Sequence, residues 1–377
     1  MKKMLMLASV ASMIDQFNIP NIQLLKDIGY EVHVACNFEE GNTCSREKIL
    51  DLKRKLKNME IKYYQIDFSR SVSNIKKNLK AYRQVYVLMK REKYQFIHCH
   101  SPIGGVVGRL VGHRTGTKVI YTAHGFHFFK GAPIKNWVLY YPIEKFLAKY
   151  TDILITINKE DYYRGKRLGA KRVKYVPGVG IDIKKFEDIC VDTRSKRKEI
   201  GVPSDATMLL SIGELSVRKN QISVIDAMEK IKNDNLYYVI CGRGELYTKL
   251  EDRAKIKGIK DRVIFLGYRE DIGEICKVAD IFVFPSLQEG LPVALMEAMA
   301  CGLPVIASRI RGNRELIDEE KGGILYTPKN CDEIVNSIKK MQHKDLKVIG
   351  EYNKNKIVSY GIQDINKEMG KIYYCDI

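Results

Sequence analysis

Two carboxylates eight positions apart, Glu289 and Glu297, bracket a Gly290-Leu291-Pro292 turn in the stretch SLQEGLPVALMEAMACGLPVIAS, residues 286–308. Ionised carboxylates only accept hydrogen bonds, so a pair of them suits a ligand rich in hydroxyls, such as a sugar. Pro292 fits the first turn of a helix, where its missing N–H is one the helix leaves unpaired anyway. Leu295, Met296 and Met299 then form the apolar stripe of that helix, which ends at Gly302. Glu289 falls in the loop before it and Glu297 a turn and a half inside. The helix start, Gly290 to Val293, offers N–H groups to phosphate or another anion. In isolation such a pair reads as a salt-bridged surface loop, because most charged side chains face water.

Histidines mark the other half of the chain. YQFIHCHSPIGG carries His98 and His100 on one face of a strand end, followed by a Gly-rich helix start, and the next strand closes in AHGFHFFKG with His124 and His127. Gly125 lets the backbone turn tightly there. Two histidines at i and i+2 have no third ligand nearby, so no metal site is expected. Open α/β sheets bind ligands beyond strand C-termini, and the histidines read as polar contacts at such a mouth. Further polar residues follow strands in the second half: Glu214, Arg218 and Lys219 in GELSVRKNQ, Gly242 in GRGE, and Tyr268 and Arg269 in GYRED.

The elements that must position these residues alternate. Strands over 3–10, 30–36, 61–66, 118–122, 152–157 and 172–176 are interleaved with helices over 20–28 and 134–150, the pattern of a parallel α/β domain. The opening MKKMLMLASVASMI imitates a signal peptide but reads as the first strand, since strand and helix units follow without a break. On the helix from Ile75, the residues Ile75, Leu79, Tyr82, Tyr86 and Met89 share a face that is expected to be buried, with Lys76, Lys77, Lys80, Arg83 and Lys90 outside. The helix over 134–150, with Trp137, Tyr140, Tyr141 and Phe146 among lysines, reads as packing on the neighbouring layer, with a membrane interface as the alternative. A patternless charged run over 184–198 marks a boundary. A second α/β unit then begins, with strands over 207–212, 236–241, 263–266, 281–284, 305–307 and 323–326. The segment after Lys329 is helical and buries Tyr360, Ile365, Met369 and Tyr373. The expected domains are 1–190, 191–358 and a C-terminal helix over 359–377 that packs back on the first domain.

Composition narrows the classes. A chain of 377 residues, 45% hydrophobic and 29% charged, is long enough for two cores. No apolar run reaches the ~20 residues of a membrane span. The nine cysteines are scattered without a C-x-x-C pair, which suits reduced thiols in a cytoplasmic protein. Met1 to Cys190 carries 34 Lys and Arg against 17 Asp and Glu, and the remainder 30 against 28. A basic field confined to one half attracts anionic lipid, nucleic acid or a phosphorylated acceptor; a solvated, solubilising face is the plainer reading.

Several nucleotide-binding classes are excluded. No G-x-G-x-x-G follows the first strand, and no G-x-x-x-x-G-K-[ST] occurs. No Asp-x-Asp pair is present to hold a divalent ion against a diphosphate, so Lys, Arg and helix N-termini must neutralise such a ligand. The combination resembles the GT-B glycosyltransferases, in particular glycosyltransferase family 4. The resemblance rests on Glu289-x7-Glu297 with its flanks, on GELSVRK (213–219), the GRG turn (242–244), FLGYR (265–269) and His124-Gly125-Phe126. AHGFHFF and the HCHSP run are similar to the bacterial exopolysaccharide and capsule branch.

The resemblance implies two Rossmann-like domains facing each other across a deep cleft, with a nucleotide-sugar donor, a UDP-sugar, on the second and an acceptor on the first. It implies transfer with retention and no required cofactor. Carried over, Glu289 binds sugar hydroxyls, the backbone of Gly290, Leu291, Pro292 and Val293 holds sugar and phosphate, and Glu297 binds ribose. Lys219 neutralises the diphosphate, the Gly242 turn belongs to the donor site, and Tyr268 and Arg269 lie beside the base. His124 sits near the transferred sugar, with His98, His100 and His127 on the acceptor side. One departure stands out: the family commonly has Arg where this chain has Glu214. A carboxylate repels a diphosphate, so Glu214 is expected to turn away or meet the acceptor, and Arg218 to supply the missing charge.

The expected partner on the acceptor side is a polyprenyl-diphosphate-linked sugar at the inner membrane leaflet, with no nucleic acid. A GT-B-like UDP-sugar epimerase is the alternative among enzymes. A basic nucleic-acid- or membrane-binding module is the alternative of another class, although the aromatics fall mostly at core spacing rather than as base-stacking platforms.

Overall fold

The computed structural model describes residues 2–42, 44–69, 71 and 73–375. Met1, Asp376 and Ile377, the ends of the expected first and last segments, lie outside it. The chain divides into two compact units, one of residues 1–180 and 363–377 and the other of residues 181–362.

Unit 1 is built on β1 (Lys2–Val10), β2 (Tyr30–Asn37), β3 (Lys62–Gln65), β4 (Phe96–His100), β5 (Lys118–Ala123), β6 (Ile153–Thr156) and β7 (Arg172–Tyr175). They form one parallel sheet in the order β3-β2-β1-β4-β5-β6-β7. The opening stretch is thus a strand, and its run from Met4 to Ala8 is wholly buried. Burial on both faces explains why the central strands β1, β5 and β6 read as continuous apolar runs, while the edge strands β3 and β7 are more polar and more exposed.

Helices cover both faces. One layer holds α1 (Ala11–Phe17), α2 (Ile19–Asp27) and α3 (Arg46–Asn58), and the other α4 (Ile75–Glu92), α5 (Pro102–Thr115) and α6 (Ile134–Ala148), with α7 (Lys159–Gly165) after β6. The Gly-rich start of α5 serves packing: a Cβ on Gly105 would stand 2.4 Å from the Tyr121 ring, and one on Gly112 2.3 Å from Val119. These glycines let α5 press onto β4 and β5. Arg109 of α5 and Glu144 of α6 form a buried bidentate pair at 2.7 and 3.1 Å, and the guanidinium lies 4.1 Å from the Tyr121 ring centre.

The buried face of α4 differs from the expected one. Ala81, Val85, Leu88 and Met89 point inward, Tyr82 and Tyr86 pack at the margin, and Ile75 and Leu79 are 74% and 49% exposed. Two apolar stripes compete on this helix. The one with small and branched residues fits closely against α5, which holds the buried stripe in place.

Unit 2 has a parallel sheet in the order β10-β9-β8-β11-β12-β13. Its strands are β8 (Thr207–Ile212), β9 (Leu236–Cys241), β10 (Val263–Gly267), β11 (Ile281–Phe284), β12 (Val305–Ser308) and β13 (Gly323–Tyr326). The charged run over 184–198 is not patternless chain. It forms α8 (Lys184–Glu187) and α9 (Thr193–Ile200), the latter capped by Asp192, whose carboxylate accepts from the N–H groups of Arg194 and Ser195. The crossovers are α10 (Ile222–Ile231), α11 (Tyr247–Ile256), α12 (Ile272–Val278), α13 (Val293–Ala300) and α14 (Arg311–Leu316), followed by α15 (Cys331–Gln342) and α16 (Leu346–Ile357).

The last helix, α17 (Ile362–Cys375), belongs to unit 1 from Gln363 onward. Ile365, Met369, Ile372 and Tyr373 enter the core shared by β1, β2 and α2. At roughly 1.5–3 kcal/mol for each fully buried large apolar side chain, this face alone secures the helix.

Candidate functional site

In a doubly wound sheet, ligands bind beyond the strand C-termini where the strand order reverses. In unit 2 that point lies between β8 and β11, and the chain supplies it with the GELSVRKNQ loop after β8 and the QEGLP loop after β11. These are the two loops in which most of the expected second-domain site residues fall.

The loops are joined by charge. Lys219 Nζ and Arg218 Nη1 each lie 2.8 Å from the same oxygen, Oε1 of Glu289. Arg218 also donates to the Gln288 carbonyl at 3.1 Å, and its own carbonyl accepts from the Leu287 N–H at 2.8 Å. Lys219 lies 4.7 Å from the Phe284 ring centre, so its ammonium is positioned by ring and carboxylate together. Arg311 Nε donates to the Glu289 carbonyl at 3.1 Å, holding the loop from the side of α14.

Glycines make the crowding possible. Gly242 has φ +152°, and a Cβ there would stand 1.9 Å from the Gly213 carbonyl oxygen. The turn after β9 thus touches the turn after β8, and any side chain at Gly242 would push them apart. Gly213 lies under the Lys219 side chain, with its notional Cβ 3.0 Å from Lys219 Cε.

The helix after the second loop begins at Val293, with Pro292 just before it as the cap residue. Leu295, Met296 and Met299 are fully buried, as the stripe requires. Glu297 stands half-buried in α13, and among the described residues nothing hydrogen-bonds its carboxyl group. Burial raises that carboxyl to about 7, against a smaller lowering by Lys185.

Glu214 is exposed at the end of β8 and forms no ion pair among the described residues; only its carbonyl is engaged, by Gln221. Tyr268 is half-exposed after β10, and the Arg243 guanidinium approaches its ring at 6.0 Å. Arg243, the central residue of the GRG turn, was not among the expected site residues. The signal for it is local: a cation between two glycines, on a turn pressed against the β8 turn. Arg269 is differently employed. It pairs with Asp271 at 2.7 and 2.5 Å and with Glu199 at 2.5 Å, in a network that Lys196 extends to Glu274. Its guanidinium ties α9 to α12, which is a structural employment rather than a free donor beside a ligand.

In unit 1 the histidines gather at the ends of β4 and β5. His98 is fully buried and both ring nitrogens are bonded, Nδ1 to the Tyr373 hydroxyl and Nε2 to the Thr122 hydroxyl, each at 2.8 Å. It therefore fastens α17 to the sheet and is not open to an acceptor. His100 Nδ1 meets His124 Nε2 at 3.1 Å, while the buried His100 Nε2 has no protein partner. A small recess is lined by His100, Thr122 and His124 together with Phe17, Asn18 and Met369. Burial lowers His98 to about 3 and His124 to about 4, and His100 is also well below its ordinary value. All three rings are neutral at physiological pH. His127 is not brought into this group; it stacks on Tyr140 of α6 at 4.5 Å between ring centres. Among the described residues no three His, Cys, Asp or Glu side chains gather to hold a metal ion.

Two parallel-sheet units, the second with a cation-lined switch point and an E-x7-E loop, define a class, and comparison with known proteins agrees. Residues 3–158 match the glycosyl transferase 4-like family model and residues 192–356 the glycosyl transferases group 1 model. The chain is 35% identical over 382 residues to the putative glycosyltransferase EpsD of Bacillus subtilis, covering 99% of this chain and 96% of that one. It is 33% identical over 300 residues to the UDP-Gal:alpha-D-GlcNAc-diphosphoundecaprenol alpha-1,3-galactosyltransferase of Escherichia coli, covering 77% of each. The crystal structure of Anabaena Alr3699/HepE in complex with UDP and glucose superposes with a TM-score of 0.80 at 19% identity, covering 99% of both chains. The fold is GT-B. The chain belongs to the family 4 glycosyltransferases and is a transferase.

Proposed function

We propose that this enzyme transfers a hexosyl or N-acetylhexosaminyl group from a UDP-sugar to a polyprenyl-diphosphate-linked acceptor, with retention at the anomeric carbon, in assembly of an exopolysaccharide or capsule. The observation that carries this reading is the convergence of Lys219 and Arg218 on Glu289 at the switch point of unit 2. A donor diphosphate offers two further anionic groups to the same cations, and the N-terminus of α13 adds a favourable dipole. The E. coli relative is named for a UDP-galactose donor and a diphosphoundecaprenol-linked acceptor, and the Anabaena structure contains UDP. These names support the donor and acceptor classes assigned here.

In the proposed reaction the bond between the sugar C1 and the β-phosphate oxygen breaks, leaving UDP. The acceptor hydroxyl oxygen bonds to C1 from the same face, and its proton passes to the departing phosphate oxygen. No nucleophile from the protein is needed. Lys219 and Arg218 stabilise the charge growing on the diphosphate, the kind of preorganised electrostatics that commonly dominates catalysis. Glu289 and the backbone from Gly290 to Val293 orient the sugar, Glu297 binds the ribose, and the Gly242 turn and Tyr268 flank the base. The acceptor is assigned to unit 1, where His100 and His124 stand at strand ends and where His124 is the group we assign to the reaction. No cofactor is called for. The basic charge of this unit suits an anionic lipid carrier, with the enzyme working as a peripheral protein at the cytoplasmic face of the membrane. No helix among the described residues is long and apolar enough to cross one.

An epimerase is not favoured, because the relatives reported above are named as glycosyltransferases. A nucleic-acid module leaves the switch-point cations unexplained. The test is incubation with a panel of UDP-sugars and an undecaprenyl-diphosphate-linked N-acetylhexosamine, with NMR of the product. An α-linked product from an α-linked UDP-sugar is expected. Sugar release as a free epimer without any need for acceptor, or an inverted linkage, overturns the reading.

A further inference from the structure

Helix α6 is apolar on both sides, unlike an ordinary surface helix, whose outer face is polar. Its outer face carries Ile134, Val138 and Phe146, which are 81%, 71% and 52% exposed, with Leu139 and Pro142 between them. Trp137, Tyr140 and Tyr141 lie on the other side, packed on Phe128 and the core of unit 1. The one carboxylate of the helix, Glu144, is turned inward and neutralised by Arg109. The outer face thus offers large apolar side chains and the lysines Lys135, Lys145 and Lys149, with no negative charge.

In the same layer, on the far side of α5, helix α4 extends this character. The outer side of α4 exposes Ile75, Leu79 and Val87 among basic residues, of which Lys76, Arg83 and Lys90 have no acidic partner among the described residues. Arg114 of α5 bridges to α4, its guanidinium 4.6 Å from the Tyr86 ring centre. Lys77 and Lys80 of α4 are paired with Glu40 and Asp67, so the unneutralised cations lie on α6 and at Lys76, Arg83 and Lys90. Exposed apolar side chains flanked by such cations match the interfacial region of an anionic bilayer, where rings and branched chains enter the acyl boundary and ammonium groups meet phosphates. A second copy of the same face would bring lysine against lysine, which disfavours self-association.

We infer that the outer face of α6, supported by the basic face of α4, is the surface by which this enzyme docks on anionic lipid, with Ile134, Val138, Leu139 and Phe146 inserted. The inference rests on the reading that the acceptor is carried by a membrane lipid, and it names the anchor. The anchor is not Trp137, the single tryptophan, which faces the protein.

The experiment is flotation of the full chain at physiological salt with vesicles of phosphatidylglycerol and phosphatidylethanolamine, and with phosphatidylcholine alone. Binding to the first and about ten-fold less to the second is expected. The variant Ile134→Ser/Val138→Ser/Phe146→Ser should lose at least about ten-fold in partitioning, and Lys135→Glu/Lys149→Glu about five-fold per lysine. Ile256→Ser/Val348→Ser, on exposed apolar residues of unit 2, should float like the parent. Ile134→Glu alone, at the first residue of the helix, repeats the test without touching the core should the triple variant melt early. UDP binding by calorimetry stays unchanged in every variant. Parent and α6 variants floating equally, no binding of the parent to anionic vesicles, or conversion of the parent to a dimer that the α6 variants abolish would each overturn the inference. Flotation through α6 without sugar transfer to any acceptor would instead count against the proposed function alone.

Discussion

Lys219 Nζ stands 2.8 Å from Oε1 of Glu289, although the two residues lie seventy positions apart and reach each other only because β8 and β11 are neighbours in the sheet. The contact sets opposite expectations for the two side chains. Lys219→Ala removes a cation from the proposed diphosphate seat and should weaken UDP binding and lower kcat/KM about 100-fold or more, equivalent to about 3 kcal/mol of transition-state stabilisation. Glu289→Gln removes the competing anion, so UDP alone should bind at least as tightly as before while sugar transfer falls comparably. Calorimetry with UDP beside a transfer assay separates them. Equal loss of UDP affinity in both variants would count against the assignment.

Arg218 shares that oxygen and is the candidate replacement for the cation missing at Glu214. Arg218→Ala should weaken the UDP-sugar donor about ten-fold, the worth of one charge-assisted contact. Glu214→Arg should recover part of the loss in the Arg218→Ala background. Donor affinity indifferent to Arg218→Ala would show that Lys219 and the α13 N-terminus suffice.

Glu297 gives a pH dependence. Its carboxyl is raised by burial to about 7, so the neutral form predominates below that pH. Ribose hydroxyls donate to the ionised form, and donor affinity should therefore rise with pH through about 7 and level off above it. In Glu297→Gln the slope should vanish. The stability of the free protein runs the other way. For a raised carboxyl the contribution is intact below the ordinary value near 4.5 and is lost as pH climbs to about 7. Calorimetric titrations from pH 6 to 8 and melts over a wider range check both signs.

The Arg109 and Glu144 pair fixes the orientation of α6. Glu144→Gln leaves a guanidinium buried without its counter-charge and should cost about 3–5 kcal/mol, while Arg109→Met/Glu144→Leu should cost far less. Urea unfolding midpoints measure the difference. A mild effect of Glu144→Gln would mean that water reaches the pair.

Much of the fold was legible because buried parallel strands are written as short apolar runs, and Met4 to Ala8 or Ile281 to Phe284 leave little choice. The E-x7-E loop was legible for a similar reason: its turn, its helix and its apolar stripe are all local. What the sequence concealed is pairing at long range. Nothing near Arg269 announces that Glu199 will take up its guanidinium, and nothing near His98 announces Tyr373. On α4 the periodicity admitted two stripes, and the closer fit of Ala81 and Val85 against α5 left Ile75 and Leu79 outside.

The last helix bears on synthesis. Four of its side chains complete the core of unit 1, and His98 lacks its Tyr373 partner until α17 is in place. Unit 2, by contrast, is continuous in the chain. During translation the earlier-made half keeps an open core until α17 has been made, whereas unit 2 holds its whole core within one continuous segment. Being made first therefore gives unit 1 no head start in closing its core, and its apolar sheet is the surface left open for longest.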